Sequence, residues 1–284
     1  MSTGSSLGLG DVEIGDAWTR FMTYVVLTFL VMVNLVPFLF IISVSFTPPE
    51  AFFGDPSLVP ANPTLEAWTK GFADLRDNLV NSAIIATGTA VISMAITIPG
   101  AYAFARKRFY GKKVGFYAIV VAMMFPYILL VIPVMDIWNS TGLYNTIPGM
   151  WIAYQIFVTP FAIWILRDFF QKLPQDLEEA AQVYGCTQFS AFVRVILPLA
   201  APGIVAVGFL AFLTGWNDFL FSNLLTTGVG PVPAVPVLYG TIGGGSGERV
   251  YWGKLMAETL IIGAPPTVLY LFARNYLENA FAVK

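Results

Sequence analysis

Between two hydrophobic runs the sequence reads LPQDLEEAAQVYGCTQFSAFVRVILP, from Leu173 to Pro198. Its first half predicts a short helix, since Asp176, Glu178 and Glu179 place negative charge near the positive end of a helix dipole. Gly185 then favours a helix stop, because glycine readily adopts the left-handed conformation that ends many helices. This polar stretch, called the 173–198 segment below, interrupts a chain that is otherwise largely apolar.

One face of the predicted helix carries small and apolar residues, which would let another surface approach closely. These residues are Leu177, Ala180, Ala181 and Tyr184. Thr187 suits the cap of a second helix. Apolar residues recur along that second helix at Phe189, Phe192, Val193 and Ile196. The pattern fits a docking surface, and it fits equally an amphipathic loop that lies on the membrane.

Composition places the chain in a membrane. Of its 284 residues, 57% are hydrophobic and 11% are charged, whereas soluble domains carry about 25% charged residues. The absence of histidine excludes zinc-protease helices, nucleophilic sites with a histidine base and histidine proton relays. The single cysteine excludes an internal disulfide. The glycine-rich run from Gly243 to Arg249 lacks the Lys-Ser/Thr of a phosphate loop, so we expect no ATP hydrolysis by this chain.

Six hydrophobic runs are long enough to cross a bilayer, which takes roughly 20 residues. They are Phe21 to Phe46, Leu79 to Ala105, Val114 to Met135, Ile147 to Leu166, Val195 to Asn217 and Leu255 to Ala273. We therefore predict an all-α integral membrane protein with six transmembrane helices. Its parts are an N-terminal segment at 1–20, a six-span domain at 21–274 that contains the 173–198 segment, and a C-terminal tail at 275–284.

Prolines and small residues predict how the spans bend and pack. Prolines within spans bend or break them where neighbours satisfy the freed carbonyls. The prolines concerned are Pro99, Pro126, Pro133, Pro160, Pro265 and Pro266. Small residues allow helices to approach closely in a membrane. Two such pairs are Ala86 with Ala90 and Ala211 with Gly215.

Basic residues predict the orientation, because cytoplasmic segments hold an excess of Lys and Arg. With the N-terminus inside, eleven of the 15 basic residues fall on the inner side and four on the outer side. Both termini and the 173–198 segment are therefore predicted to be cytoplasmic. We interpret the basic cluster from Arg106 to Lys113 as an anchor at the lipid headgroups.

Three parts of the 173–198 segment stand at fixed spacing: Glu179-Ala180-Ala181, Gly185 and Val195-Ile196-Leu197-Pro198. Together they resemble the EAA loop of the membrane subunits of binding-protein-dependent ABC importers. That pattern runs Glu-Ala-Ala, two residues, Asp-Gly, nine residues and Ile-any-Leu-Pro. This chain has Tyr184 where Asp is usual and Val195 where Ile is usual.

Other stretches resemble the carbohydrate-uptake branch of these importers, and specifically the smaller permease of maltose-type systems. They are Ala101 to Arg106, Trp216 to Phe219 and Tyr251 to Gly253. The resemblance runs from Val80 to Arg274, and the tail from Tyr276 to Lys284 lacks the glycines usual in that branch.

The resemblance implies a type I ABC importer permease fold and a role in ATP-driven sugar uptake across the plasma membrane of a prokaryote. The implied partners are a second permease subunit, an ATPase dimer, an extracytoplasmic sugar-binding protein and membrane lipid, with no nucleic acid. ATP and magnesium would be bound by the ATPase, so this chain would hold no cofactor. The implied ATPase-coupling residues are Glu178, Glu179, Ala180, Ala181, Tyr184, Gly185, Leu197 and Pro198.

Two acidic residues fall at the ends of predicted spans. Charged groups in hydrocarbon cost roughly 2.5–3.5 kcal/mol, so they normally face a cavity or a partner. At the end of the fifth span, Trp216 would offer an apolar face to a sugar ring while Asn217 and Asp218 bind its hydroxyls. Hydration at the membrane interface explains Asp218 equally well, and it is the explanation we prefer for Glu258 near the start of the sixth span.

Three alternatives remain open. A permease for peptides, polyamines or phosphate would share the EAA-like loop but not the cargo. An ion-coupled secondary carrier would carry inverted repeats and midplane ion ligands, which the sequence does not show. For a structural membrane protein, disruption of the 173–198 segment would leave uptake unchanged.

Overall fold

The computed structural model describes residues 9–48, 60, 62–242 and 251–281, and within these ranges it contains helices and no strands. The helices are α1 (Leu9–Ser45), α2 (Glu66–Arg106), α3 (Lys112–Met123), α4 (Val131–Thr141), α5 (Ile147–Lys172), α6 (Asp176–Val183), α7 (Gln188–Ala191), α8 (Leu197–Leu199), α9 (Ala201–Asn217), α10 (Leu220–Leu225), α11 (Ala234–Ile242) and α12 (Trp252–Phe281). The run Gly243 to Gly247, Arg249, residues 1–8 and residues 282–284 lie outside the described residues.

Four helices in the described part of the chain are long and apolar enough to cross a membrane by themselves. They are Ala17–Ser45 within α1, Glu66–Arg106, Ile147–Lys172 and Trp252–Tyr276 within α12. Two bent helix pairs raise the number to six if each pair is one span. The predicted all-helical membrane fold is therefore confirmed.

Two of the six predicted spans, the third and the fifth, are each broken into two helices. In the third, Lys112–Met123 and Tyr127–Thr141 meet at 93°. The break falls at Pro126, which has an extended backbone with ψ 109° and precedes a 3-10 turn. Proline lacks the N–H that would continue the helix. Pro126 is therefore confirmed as a breaking residue, while Pro99 and Pro160 lie inside continuous helices.

The fifth predicted span breaks at Ala200, where Gln188–Leu199 and Ala201–Asn217 meet at 75°. Pro202 stands in the first turn of α9, where its missing N–H leaves no hydrogen bond unmade. A π-helical turn at Phe192–Ile196 precedes the bend. The predicted run from Val195 to Asn217 thus contains the end of one helix and the whole of another.

The described parts of Met1–Gly71 and Tyr251–Leu260 form one compact unit. Within it, no residue in the most hydrophobic window of Ala17–Ser45 is buried. The end of α1 is fixed to the start of α2, where Trp68 Nε1 donates to Ser45 Oγ at 3.2 Å. Glu258 is fully buried, and its Oε1 lies 3.5 Å from Lys254 Nζ. Our preference for a hydrated Glu258 is therefore wrong, because the carboxylate is paired with a cation one helical turn away.

The described parts of Phe72–Val250 and Ile261–Lys284 form a second compact unit. Helix α5 contributes to two of its apolar clusters. Tyr154 and Met150 of α5 belong to a cluster shared with α2, α4, α9 and α10. Leu166 and Phe170, further along α5, pack with Tyr102 of α2 in a second cluster. Because α5 is common to both clusters, it forms the central support of this unit.

The connection between α10 and α11 is held by side chains from other elements of the same unit. Asn145 Oδ1 accepts a hydrogen bond from Thr227 N at 2.9 Å. Asn78 Nδ2 donates to Val232 O at 2.8 Å. Ser82 Oγ accepts from Ala234 N at 2.9 Å. These bonds satisfy backbone groups that have no partner in regular structure, so the connection has a defined course.

Candidate functional site

The first part of the 173–198 segment folds into α6, an eight-residue helix. Its end is a paired hydrogen-bond motif in which Gly185 N donates to Gln182 O at 3.0 Å and Cys186 N donates to Ala181 O at 3.0 Å. Gly185 has φ 91°, the left-handed conformation that this motif requires. The predicted short helix and its glycine stop are therefore confirmed.

The two glutamates of α6 differ in burial. Glu178 is only 8% exposed. Its carboxylate accepts a hydrogen bond from the Tyr102 hydroxyl and lies 3.6 Å from Lys107 Nζ. Glu179 is exposed. Of the two, only Glu179 is available to another protein, and Glu178 makes an internal contact that the sequence did not predict.

The outward surface of α6 includes a patch of apolar residues. Val183 is 84% exposed and Tyr184 is 90% exposed. Leu177 and Ala180 are also exposed, whereas Ala181 is half-buried. The face predicted from the sequence is thus largely open, and Val183 extends it. Contiguous apolar surface of this kind marks a contact with a partner or a membrane.

The C-terminal end of α2 holds the 173–198 segment at several points. Arg106 donates from Nη2 to Leu173 O. Lys107 Nζ lies 3.4 Å from Gln188 Oε1. The Tyr102 ring packs on Phe192, with 4.4 Å between the ring centroids. Arg106 and Lys107 therefore bind protein groups, a role that the headgroup interpretation did not include.

The second part of the segment runs from α7 through the π-helical turn to α8. Thr187 caps α7, since its Oγ1 accepts from Ser190 N at 3.2 Å, as predicted. Ile196 is fully buried, whereas Phe189 is exposed. Leu197 and Pro198 lie in α8, directly before the bend at Ala200. These two residues, predicted to couple to an ATPase, thus lie at the bend that leads into α9.

Trp216 does not face a cavity. It is 2% exposed, and its Nε1 donates to Ile262 O of α12 at 3.1 Å. Its ring stacks on Phe212 with 5.5 Å between centroids. The prediction that Trp216 offers its face to a sugar is wrong, because the indole fills the space between α9 and α12 and its N–H is already satisfied.

Asp218 and Asn217 are placed differently from Trp216. Asn217 is exposed and Asp218 is half-buried. Asp218 Oδ2 accepts from Tyr154 Oη at 3.0 Å and from Ser222 N at 2.9 Å. Asp218 thus joins α5 to the first turn of α10. Simple hydration at a membrane interface does not explain a carboxylate held by two protein donors.

Asn217 and Asp218 line a cavity of about 460 Å³, together with Tyr127, Phe157, Leu213, Thr214, Phe219 and Leu220. A second cavity of about 290 Å³ shares Tyr127, Phe157 and Thr214. We call these two spaces the aromatic-lined cavities. Neither Tyr127 nor Phe157 was predicted from the sequence, because both lie in apolar runs. The position of Tyr127 directly after Pro126, at the break between helices, was the one feature of the sequence that could have indicated its place beside a cavity.

Residues 95–282 match the family described as binding-protein-dependent transport system inner membrane component. The chain is 37% identical over 246 residues to the trehalose transport system permease protein SugB of Mycobacterium tuberculosis (strain CDC 1551 / Oshkosh). That match covers 86% of this chain and 89% of SugB. It is 32% identical over 254 residues to the trehalose/maltose transport system permease protein MalG of Thermococcus litoralis (strain ATCC 51850 / DSM 5473 / JCM 8560 / NS-C). That match covers 88% of this chain and 90% of MalG.

A solved chain shares the fold. It comes from the crystal structure of a bacterial ABC transporter involved in the import of the acidic polysaccharide alginate. The TM-score is 0.81 at 20% sequence identity, and the match covers 98% of this chain and 100% of that chain. Since residues 95–282 match the family model and the EAA-like motif begins on α6, this chain belongs to the family of inner membrane components of binding-protein-dependent transport systems, as permeases of ABC importers do.

Proposed function

We propose that this chain is the permease subunit of an ATP-driven importer for a sugar or oligosaccharide. The observation that carries the proposal is the surface of α6, which presents Glu179 beside the exposed apolar residues Val183 and Tyr184. A short helix that stops before Gly185 and leaves these apolar residues exposed is suited to contact with another protein.

Coupling to ATP would run through that surface. An ATPase dimer, which holds ATP and magnesium, binds α6, and Glu179 pairs with a basic group of the ATPase. Closure of the ATPase dimer then displaces α6 and changes the spans from an inward-facing to an outward-facing arrangement. The two arrangements must differ in their contacts with the ATPase for such coupling to occur.

The distribution of basic residues supports an orientation with both termini and α6 in the cytoplasm of a prokaryotic cell, where an ATPase could reach α6. The connection between α10 and α11 then faces an extracytoplasmic sugar-binding protein. The most hydrophobic part of Ala17–Ser45, in which no residue is buried, meets lipid or the second permease subunit.

Two observations support a sugar as the cargo. The relatives SugB and MalG are named for trehalose and for trehalose and maltose. The aromatic-lined cavities combine the rings of Tyr127 and Phe157 with the polar groups of Asn217 and Asp218. Rings pack on the apolar face of a sugar while amide and carboxylate groups bind its hydroxyls.

The test is uptake of labelled trehalose and maltose by vesicles that contain this chain with its co-purified partners and binding protein. We expect uptake that needs ATP and is unaffected by an uncoupler. Uptake that an uncoupler abolishes and that needs no ATPase would instead indicate an ion-coupled carrier. ATP-driven uptake of peptides, polyamines or phosphate, with no sugar uptake, would contradict the proposed cargo alone.

A further inference from the structure

Tyr102 of α2 lies between the two parts of the 173–198 segment. Its hydroxyl donates to Glu178 of α6, and its ring packs on Phe192 in the π-helical turn. The residue is 8% exposed. Lys107 Nζ lies 5.1 Å from the centre of the same ring and 3.6 Å from Glu178 Oε1. A carboxylate that is buried, hydrogen-bonded and paired with a cation makes a strong local contact.

The contact joins elements that are far apart in sequence, since Tyr102 and Glu178 are separated by 76 positions. Helix α6 is only eight residues long and is linked to α5 and α7 by short turns. A displacement of α6 would be taken up by rotation in those turns, and would not reach the rest of the unit, unless a side chain links α6 to a longer helix. Tyr102 supplies that tie to α2, a helix of 41 residues.

Helix α2 in turn contacts the helix that lines the aromatic-lined cavities. Gly215 of α9 lies against Ala86 of α2 so closely that a Cβ on Gly215 would come within 2.9 Å of the Ala86 Cα. Thr214, next to it, lines both cavities. A chain of packed contacts therefore runs from α6 through α2 to the cavities.

We infer that Tyr102 and Glu178 form a latch that makes the C-terminal end of α2 move with α6, an inference that rests on the proposed coupling function. In this role Tyr102 and Glu178 are positioning residues, and neither touches the sugar or the ATP. Glu179 faces the ATPase, while its neighbour Glu178 passes the displacement of α6 to α2.

The experiment uses the whole transporter in vesicles and measures sugar uptake and ATP hydrolysis in the same sample. Tyr102→Phe removes the donating hydroxyl and keeps the ring, and Glu178→Gln keeps the shape of the side chain and removes its charge. We expect each variant to lower the uptake per ATP hydrolysed by about tenfold, the size expected for one hydrogen bond to a charged group. Hydrolysis itself should stay near the wild-type rate.

The double variant Tyr102→Phe with Glu178→Gln should couple no worse than the poorer single variant, because both changes weaken the same buried contact at Glu178. Tyr110→Phe is the control, since Tyr110 is fully exposed and the same hydroxyl is removed. Unchanged uptake per ATP, or equal falls in uptake and hydrolysis through poor assembly or slow turnover, would overturn the latch. Wild-type vesicles without ATP-driven uptake would overturn the proposed function instead.

Discussion

Gly215 of α9 packs directly against Ala86 of α2, and a Cβ on Gly215 would lie 2.9 Å from the Ala86 Cα and 3.2 Å from Thr89 Oγ1. Ala211, one turn earlier in α9, is also buried. The prediction that Ala211 and Gly215 mark a close helix contact is confirmed. Small residues thus set the distance between α2, which contacts α6, and α9, which lines the aromatic-lined cavities.

Gly215→Val should destabilise the protein by about 1–3 kcal/mol, because the added side chain meets backbone atoms of α2 that cannot rotate away. The free energy of unfolding can be measured by titrating the purified protein in mixed micelles with sodium dodecyl sulfate. Gly263→Val in α12 is the matched control, since nothing lies within 4 Å of the Cβ that it would add. Equal stabilities for the two variants would show that α2 and α9 are far enough apart at Gly215 to accept the valine side chain.

Asp218→Ala should destabilise the protein by about 1–3 kcal/mol, because Tyr154 Oη and Ser222 N both lose their acceptor in a largely buried site. Tyr154→Phe removes one hydrogen bond to Asp218 without changing a residue that lines the cavity, since Tyr154 is fully buried while Asp218 lines a cavity. This variant therefore distinguishes the structural role of Asp218 from a contact with the sugar. We expect Asp218→Asn to raise the KM for sugar uptake and Tyr154→Phe to leave it unchanged. A similar rise in KM for both variants would assign Asp218 a structural role only.

The sequence predicted local features well and long-range contacts poorly. The Gly185 stop, the Thr187 cap and the break at Pro126 follow from the chemistry of single residues, and all three are confirmed. Trp216 was misplaced because it directly precedes the polar pair Asn217 and Asp218, whereas its position is decided by a carbonyl on α12. No local pattern distinguishes a tryptophan that faces a cavity from one that fills a gap between helices.

The same limit explains the acidic residues. Glu178 and Glu179 are chemically identical neighbours, and it is the contacts with Tyr102 and Lys107 that hold Glu178 inward. Glu258 was expected to be hydrated because it stands near the start of a span, yet it is buried beside Lys254. The i,i+4 spacing of Lys254 and Glu258 is visible in the sequence, but the burial of that pair depends on the packed fold. Pairing between different elements depends on the packed fold in the same way.

Phe157→Ala should weaken sugar uptake, because Phe157 lines both aromatic-lined cavities. If its ring packs on the sugar, its loss should raise KM by about tenfold, which corresponds to roughly 1.4 kcal/mol of binding energy. Trp164→Ala is the control, since Trp164 is also on α5 but is partly exposed and lines neither cavity. Initial rates of uptake over a range of sugar concentrations measure both variants. Equal effects would point to packing of α5 rather than to the cavities.

Gly185→Val should leave the protein inserted in the membrane yet abolish ATP-driven uptake. Gly185 has φ 91° with nothing within 4 Å of an added Cβ, so the change acts by strain alone, of order 1–3 kcal/mol. That strain favours a different end to α6 and moves Tyr184 and Val183 away from the ATPase. Gly185→Asn should retain more uptake, since asparagine tolerates the left-handed conformation.

Gly111→Val provides the matched control for strain, because Gly111 also has positive φ, 78°, and nothing within 4 Å, but lies at the start of α3. Co-purification of the ATPase with each variant measures the contact at α6 directly. We expect Gly185→Val to lose the ATPase and Gly111→Val to keep it, because only the first change alters the end of α6. If both variants lost the ATPase, backbone strain at any position would be enough to disrupt the complex, and the result would not assign the contact to α6. If Gly185→Val kept the ATPase and normal uptake, α6 would not be the surface through which ATP hydrolysis drives transport.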